Sequence, residues 1–366
     1  MSKHGRVLVA MSGGIDSTVA AMMLHEEGYE VVGITMKTWD YASSGGSKKE
    51  TGCCSLESIN DAREVAVKMG FHHFIIDIRE EFGDFVIDNF VEEYIAGRTP
   101  NPCVLCNTHI KWRALLKRAD AMDCSFIATG HYARISESGA RLFVKTAIDV
   151  NKDQSYVLWG LDQDCLARTR FPLGNFEKKE VRQFAKDAGY EALSNKPESY
   201  EICFVPDNDY RGFLKRRKPG LEERVADGVF MDIKGNILGR HEGYPFYTIG
   251  QRRGLGRAFG EPMYVSEIRP DSNTVILGPI DGLIRSTMRV YQVNMMKYKE
   301  IPRGMDLITK VRYGDIGTLS EVFPEDNNMV NVKFYAGVKG VAPGQSAVFF
   351  EGPDLVGGGI IYSSLT

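Results

Sequence analysis

The stretch "MSGGIDST", Met11–Thr18, decides the fold of the first half of the chain. It follows the apolar run "RVLVA" and precedes "VAAMMLHEEG", so a strand is predicted to lead through a glycine-rich turn into a helix. Gly13 and Gly14 let the backbone approach a ligand closely, and unpaired N–H groups at a helix start attract anions. The stretch therefore predicts a phosphate-binding loop, which an ordinary strand-to-helix turn would not require.

The composition of this loop indicates which phosphate bond is broken. The common phosphate loop contains a lysine that contacts the γ-phosphate. This loop has no lysine, and Ser12 and Ser17 offer hydroxyl donors instead. A loop that grips mainly through N–H groups suits a pyrophosphate that leaves as one unit. Cleavage between the α- and β-phosphates, with transfer of AMP, is the reaction we expect. Asp16 is a candidate to hold Mg²⁺ or its water.

Strand-like and helix-like segments alternate up to about Phe204, which predicts an α/β fold with a doubly wound parallel sheet. A small β-rich region with glycine turns follows, and short alternating strands from about Met288 predict a β-barrel. The segment "YASSGGSKKETG", residues 41–52, is predicted to be a mobile loop. The predicted domains are an ATP-binding catalytic domain at 1–207, a small central domain at 208–285 and the barrel at 286–366.

Composition bounds the class of protein. The 366 residues include 43% hydrophobic ones and carry a net charge of −3, so a nucleic-acid surface must be a local basic patch. We find no apolar run near the roughly 18 residues that span a bilayer, and no signal-peptide pattern. An odd count of seven cysteines does not suggest a secreted disulfide scaffold. These features predict a cytoplasmic protein.

The cysteines lie in stretches that suggest chemistry. "GRTPNPCVLCNTHIKW" places Cys103 and Cys106 after two prolines, and Lys111 and Arg113 follow on a predicted helix. A thiol near a helix start with cations nearby is expected to have a lowered pKa, and the thiolate is the nucleophilic form. A third informative thiol, Cys203, lies in "SYEICFVPDN".

Three interpretations of the cysteines compete. Cys124 and Cys165 are expected to be buried as small apolar residues. A four-thiolate zinc or iron–sulfur site could use Cys53, Cys54, Cys103 and Cys106, although adjacent cysteines rarely share one ion. Sulfur chemistry would use Cys106 and Cys203 as a catalytic pair. The residues alone support the metal site and the catalytic pair of cysteines almost equally.

A wider set of motifs resembles a known family. "SGGIDS" resembles the signature of the pyrophosphatase-loop ATP enzymes, which adenylate a substrate before a nucleophile displaces AMP. The chain as a whole resembles the bacterial tRNA-specific 2-thiouridylases, with motifs in the same order from end to end: "AMSGGIDS", "ITMKTW", "GRTPNPCVLCN", "ATGHYAR", "KDQSYVLW", "EICF", "TIGQRRGLG" and "PGQSAVFF". The resemblance implies an adenine-nucleotide hydrolase-like first domain. It also implies ATP-dependent thiolation at C2 of the wobble uridine in tRNAs for Glu, Gln and Lys.

The resemblance also implies a role for individual residues. Cys106 would be the nucleophile and Cys203 the carrier of a persulfide sulfur, and the two would end the reaction as a disulfide. The residues implied to bind ATP, with Mg²⁺ accompanying it, are Ala10, Met11, Ser12, Gly13, Gly14, Ile15, Asp16, Ser17, Met36 and Gly130. Those implied to surround the target base are Asn101, Pro102 and Cys103, the last in place of the family's usual Asp. Those implied to touch tRNA are His131, Lys152, Asp153, Gln154, Arg312, Tyr313 and Gln345.

The implied partners are tRNA and a sulfur donor, which would be either a cysteine desulfurase or a sulfur-relay protein. The enzyme is expected to be monomeric and to act without a membrane. The basic stretches "FLKRRKPG" and "GQRRGLGR" favour RNA binding modestly. The alternatives are an adenylating pyrophosphatase-loop ligase for a small metabolite, an iron–sulfur-dependent tRNA thiolase and a non-catalytic RNA-binding protein.

Overall fold

The computed structural model describes residues 2–39, 55–196, 202–205 and 207–365. The chain divides into two compact units, of which the first comprises Met1–Val86, Cys103–Asp209 and Pro353–Leu355. The second comprises Ile87–Pro102, Tyr210–Gly352 and Val356–Thr366. The predicted loop at 41–52 lies outside the described residues. Among the helices that the structure describes, none is long and apolar enough to cross a membrane.

The first unit is built on a parallel sheet, as predicted. Its five strands follow the order β3-β2-β1-β4-β7, and Ala10 at the end of the central strand pairs with Ile34 on one side and Thr129 on the other. The strands of this unit, including a hairpin outside the sheet, are β1 (Arg6–Ala10), β2 (Glu30–Lys37), β3 (His72–Asp77), β4 (Phe126–Thr129), β5 (Ala133–Ser138), β6 (Arg141–Thr146) and β7 (Thr169–Arg170).

The α-helices within the described residues are α1 (Ile15–Glu27), α2 (Leu56–Met69), α3 (Arg79–Phe82), α4 (Asp88–Ile95), α5 (Pro102–Leu105), α6 (Trp112–Ala121), α7 (Gln163–Ala167), α8 (Lys178–Asp187), α9 (Glu191–Ser194), α10 (Tyr210–Arg217) and α11 (Leu221–Arg224). Short π-helical segments span Gly83–Ile87 and Cys106–Lys111. Helices α1 and α2 end at Gly28 and Gly70, which cap them in the left-handed conformation that glycine favours.

Side chains on both faces of the sheet are buried. Val7 and Val9 of β1 share a core with Leu24 of α1 and Val65 of α2. Leu8 points to the opposite face, because side chains alternate along a strand, and it is also fully buried. This two-sided burial explains why the central strand β1 reads as a continuous apolar run in the sequence.

The hairpin β5–β6 turns at Gly139, which has a φ of +58°. The sequence yielded no prediction of strands here, because the run "ARISESGARLFVKT" mixes charged and apolar residues without a clear period.

The second unit contains a four-stranded sheet and a closed barrel. The small sheet has the order β10-β11-β8-β9, and the six barrel strands follow the order β12-β15-β14-β13-β16-β17 and close through pairing of β12 with β17. These strands are β8 (Gly228–Asp232), β9 (Ile237–His241), β10 (Tyr264–Arg269), β11 (Thr274–Gly278), β12 (Ile284–Met295), β13 (Met305–Lys310), β14 (Thr318–Glu325), β15 (Met329–Lys339), β16 (Ser346–Glu351) and β17 (Asp354–Leu365). The predicted barrel is confirmed, with a core that includes Val290, Val332 and Phe349.

The segment Ile87–Pro102 packs with the second unit although it precedes much of the first in sequence. Phe90 of α4 meets Phe213 of α10 edge to face at 6.0 Å, and Tyr94 stacks on Tyr210 at 4.8 Å. The basic stretch in "DYRGFLKRRKPG" forms helix α10. Its apolar face anchors α4, which leads directly toward the cysteine-bearing stretch.

Candidate active site

The loop between β1 and α1 has a backbone that only glycine can form. Gly13 has a φ of +70°, and a Cβ atom there would lie 2.0 Å from the backbone oxygen of Ser58. The first turn of α2 therefore packs directly on the loop. The predicted strand, turn and helix are all confirmed.

Two serines tie the loop together. The Ser17 hydroxyl accepts a hydrogen bond from the Ser12 N–H at 3.0 Å and donates one to the Gly14 carbonyl at 3.1 Å. The hydroxyl of Ser12 lies 3.3 Å from that of Ser17. These bonds fasten the loop to the first turn of α1.

The neighbouring strands bring further predicted residues to the same edge of the sheet. A Cβ atom at Gly130, which directly follows β4, would lie 2.6 Å from the Ser17 nitrogen. Met36 lies near the end of β2, and Thr35 beside it donates a hydrogen bond to the Met11 carbonyl at 2.7 Å. The carboxyl ends of β1, β2 and β4 thus surround the loop, where open α/β sheets bind ligands.

Asp16 is paired with a lysine that the sequence did not suggest. Lys178 Nζ lies 2.6 Å and 2.7 Å from the two carboxylate oxygens of Asp16, although 162 residues separate them in sequence. The hydroxyl of Tyr132 donates a further hydrogen bond to Asp16 Oδ1 at 2.8 Å. No local spacing pattern could have revealed these partners.

Cys103 and Cys106 lie near the start of one helical run, and Lys111 and Arg113 follow on it, as predicted. The run begins with α5, whose first residue is Pro102, continues through the π-helical segment and ends with α6. Cys106 is buried, whereas Cys103 is exposed. Asn107 donates a hydrogen bond to the Val157 carbonyl at 3.0 Å, so this run packs on the stretch "KDQSYVLW".

The predicted lowering of the Cys103 pKa is wrong. Although part of the residue is exposed, the protein packed around the Cys103 thiol desolvates it and raises its pKa, and the nearby Lys111 offsets the increase only in part. The cost of removing water from a thiolate therefore exceeds the attraction of the cation. Cys103 accordingly exists as a thiol at neutral pH.

Cys203 lies in a turn of the first unit that packs on helix α3 through the neighbouring residue Phe204. The Val205 N–H donates to the Ile202 carbonyl at 2.9 Å, and the Cys203 side chain is exposed. The next residue, Phe204, is buried and meets Phe82 of α3 edge to face at 5.8 Å. Helix α3 also contacts the π-helical segment that begins at Cys106. One helix thus supports both cysteine-bearing segments.

The other cysteines divide as follows. Cys124 and Cys165 are buried, as predicted, and desolvation raises their pKa values to about 11 and about 12. Both are inert small apolar residues at neutral pH. Cys53 and Cys54, which a four-thiolate metal site would need, lie outside the described residues.

His131 is a neutral residue in this fold. Desolvation, aided by the nearby Lys111, lowers its pKa to about 3. Its Nδ1 atom lies 2.7 Å from the Thr129 hydroxyl, and its ring lies 5.6 Å from that of Trp112. His131 therefore carries no positive charge at neutral pH.

Two of the other predicted tRNA contacts also shape the loop that contains them. Asp153 accepts hydrogen bonds from the Ala147 N–H at 2.9 Å and the Ser155 hydroxyl at 2.7 Å. Gln154 accepts one from the Tyr132 N–H at 3.0 Å. Lys152, the third member of the run, directly precedes them.

In the second unit, Gln345 holds the backbone that leads to the predicted target-base residues. Its side-chain amide donates hydrogen bonds to the carbonyls of Thr99, at 3.2 Å, and Pro100, at 2.8 Å. Asn101 and Pro102 follow directly in sequence. Arg312 and Tyr313 are exposed just after β13.

Comparisons with known proteins agree with this architecture. Residues 5–207 match the model described as the tRNA methyl transferase HUP domain, and residues 212–279 match the tRNA methyl transferase PRC-barrel domain. Residues 285–361 match the aminomethyltransferase beta-barrel domain.

Relatives match the chain over its full length. A tRNA-specific 2-thiouridylase MnmA from Cytophaga hutchinsonii is 62% identical over 366 residues, which cover 100% of this chain and 99% of that protein. Another from Amoebophilus asiaticus is 61% identical and covers 99% of this chain and 96% of that protein. Among solved structures, a 4-thiouridine synthetase in complex with RNA and ATP is 20% identical, with a TM-score of 0.37 over 59% of this chain and 51% of that one. With such identity over its whole length, the chain belongs to the tRNA-specific 2-thiouridylase (MnmA) family.

Proposed function

We propose that this protein is an ATP-dependent tRNA-uridine 2-sulfurtransferase that thiolates C2 of the wobble uridine in tRNAs for Glu, Gln and Lys. The observation that carries the proposal is that one folded unit holds the phosphate loop, the Cys106 helix and the Cys203 turn. Relatives that are 62% and 61% identical over nearly the whole chain are named for this activity, which supports the same substrate.

The first step is transfer of AMP to the C2 oxygen of uracil. This oxygen is a poor leaving group until the adenylate is attached. The N–H groups at the start of α1 stabilise the pyrophosphate as it departs, and Gly13 and Gly14 permit its close approach. Adenosine would lie beside Met36 and Gly130, at the ends of the neighbouring strands.

Magnesium belongs to this step only as the ion that accompanies ATP. Both carboxylate oxygens of Asp16 accept hydrogen bonds from Lys178, so this side chain does not fit a metal ligand as it stands. The residues of the loop therefore bind the phosphates.

The second step transfers sulfur. The terminal persulfide sulfur on Cys203 attacks C2, and AMP leaves with the former C2 oxygen. The Cys106 thiolate then attacks the Sγ atom of Cys203, and the electron pair of the broken S–S bond goes to the sulfur that stays on the base. The product is a Cys106–Cys203 disulfide, which requires Cα atoms within about 6 Å.

The proposal is tested by incubating the protein with unmodified tRNA, ATP, magnesium and a persulfide donor, then analysing the nucleosides by mass spectrometry. We expect 2-thiouridine at the wobble position together with equal amounts of AMP and pyrophosphate. Pyrophosphate exchange that runs at full rate without tRNA would favour a ligase for a small metabolite instead.

Replacing Gln345 by alanine should slow thiolation. The change removes two hydrogen bonds that hold Thr99 and Pro100, each worth about 1 kcal/mol, so we expect the single-turnover rate to fall by up to about 30-fold. The exposed Gln183, which bonds Asp187 within α8, offers a control: Gln183→Ala should thiolate at the wild-type rate. Equal rates for the two variants would show that Gln345 does not position the base loop.

The salt dependence of tRNA binding should distinguish Arg312 from His131. Loss of one cation at a phosphate reduces the slope of log K against log salt by about 0.7–0.9, so we expect this change in Arg312→Gln. His131→Gln should leave the slope unchanged, because the pKa of about 3 keeps His131 neutral. Filter-binding titrations at several salt concentrations measure both slopes. A reduced slope in His131→Gln would contradict the neutral state of the imidazole.

A further inference from the structure

The phosphate loop contains an acidic residue where a polyphosphate is to bind. Asp16 is the second residue of α1, and the loop "SGGIDS" supplies no cation of its own. An unpaired carboxylate here would repel the β- and γ-phosphates of ATP and oppose the attraction of the helix N-terminus. The loop therefore requires a positive charge from elsewhere in the fold.

Lys178 lies where that charge is needed. Its side chain is 9% exposed, and Nζ contacts both carboxylate oxygens of Asp16. A buried ammonium group is stable only when it is paired, so the position of Lys178 depends on Asp16. The ring of Tyr132 lies 5.6 Å from the same ammonium group and its hydroxyl bonds the same carboxylate.

Both partners of Asp16 are held in place by the backbone around them. Lys178 is the first residue of α8, where Glu177 and Glu180 form a capping box, and its N–H donates to Asp149 at 2.9 Å. Tyr132 exchanges hydrogen bonds with Gln154 through its N–H and its carbonyl, at 3.0 Å and 2.8 Å. The arrangement around Asp16 is thus preorganised before any ligand arrives.

We propose that Lys178 is a positioning residue that acts through Asp16: it neutralises and orients this carboxylate so that the loop accepts the pyrophosphate part of ATP. This inference rests on the proposed function, because it assigns the missing loop cation for the adenylation step. It adds a residue outside the loop to the machinery that binds phosphate.

The neighbouring Lys179 provides a matched control. Its side chain is 77% exposed and pairs with Glu177 rather than with the loop. Lys178→Met and Lys179→Met therefore remove the same charge from adjacent positions of one helix. The double variant Asp16→Asn/Lys178→Met removes both members of the buried pair and leaves no uncompensated charge.

The experiment is calorimetric titration of the full chain with pyrophosphate, ATP and AMP in the presence of EDTA. We expect Lys178→Met to reduce the affinity for pyrophosphate and for ATP by about tenfold to 100-fold. The affinity for AMP should fall by less than about threefold, because only pyrophosphate and ATP place charge beside Asp16. Lys179→Met should bind all three ligands as wild type does. The double variant should bind pyrophosphate more tightly than Lys178→Met does, because the repulsive carboxylate is gone.

Two results would overturn the inference alone: wild-type pyrophosphate affinity in Lys178→Met, or a double variant that binds pyrophosphate no more tightly than Lys178→Met. If Lys178→Met does not fold, Lys178→Gln, which also removes the charge, takes its place in both comparisons. Failure of the wild-type protein to bind pyrophosphate or ATP would instead refute the proposed function together with this inference.

Discussion

Replacing either Cys106 or Cys203 by serine should abolish 2-thiouridine formation. Each thiol has a separate role in the sulfur-transfer step, and serine can neither carry a persulfide nor form the disulfide. Residues that act as one chemical unit show losses on the order of 1000-fold or more when one member is removed. Thiolation is measured by nucleoside mass spectrometry, and ATP binding by calorimetry should remain unchanged.

The other cysteines provide the control for this experiment. Cys124 and Cys165 are buried and have raised pKa values, so alanine at either position should preserve thiolation. Near-normal thiolation by Cys106→Ser or Cys203→Ser would remove that residue from the mechanism. Loss of ATP binding in the same variants would point to a structural role instead.

The second large effect is expected from alanine at Gly13. Its φ of +70° disfavours any side chain, and the new Cβ atom would overlap the backbone oxygen of Ser58. The loop and the first turn of α2 must then separate. We expect a loss of about 3 kcal/mol or more in the free energy of unfolding, and ATP affinity reduced by about 100-fold. Urea denaturation and nucleotide titration measure the two effects.

Gly14 offers a matched control in the same loop. Its φ is −91°, which alanine adopts freely, and the nearest atom to a new Cβ would be the Ser12 hydroxyl at 3.5 Å. The free energy of unfolding of Gly14→Ala should therefore lie within about 1 kcal/mol of the wild-type value. If Gly13→Ala and Gly14→Ala unfold at the same urea concentration, the strained contact with Ser58 is not what shapes the loop.

Much of the fold could be predicted because its signals are local. The strand β1, the turn at Gly13 and the helix α1 lie within 22 consecutive residues, from Arg6 to Glu27, and each follows from apolar runs and glycines. The six barrel strands were also predicted, since alternating residues and short turns mark them in the sequence. The hairpin β5–β6 was missed because its charged residues obscure the alternation.

The site was less predictable because its key contacts join distant parts of the chain. The pair of Asp16 with Lys178 depends on α8 packing beside α1, which no spacing rule reveals. The raised pKa of Cys103 depends on how much protein surrounds the thiol, whereas the sequence shows only the cation Lys111. The contact of Gln345 with Thr99 likewise forms only through tertiary folding.

The most direct measurement of the central claim is peptide mapping of the protein after a single turnover with persulfide-loaded enzyme, ATP and tRNA. We predict one Cys106–Cys203 disulfide for each 2-thiouridine formed, with Cys103, Cys124 and Cys165 still reduced. Formation of 2-thiouridine while Cys106 and Cys203 both remain thiols would contradict the account.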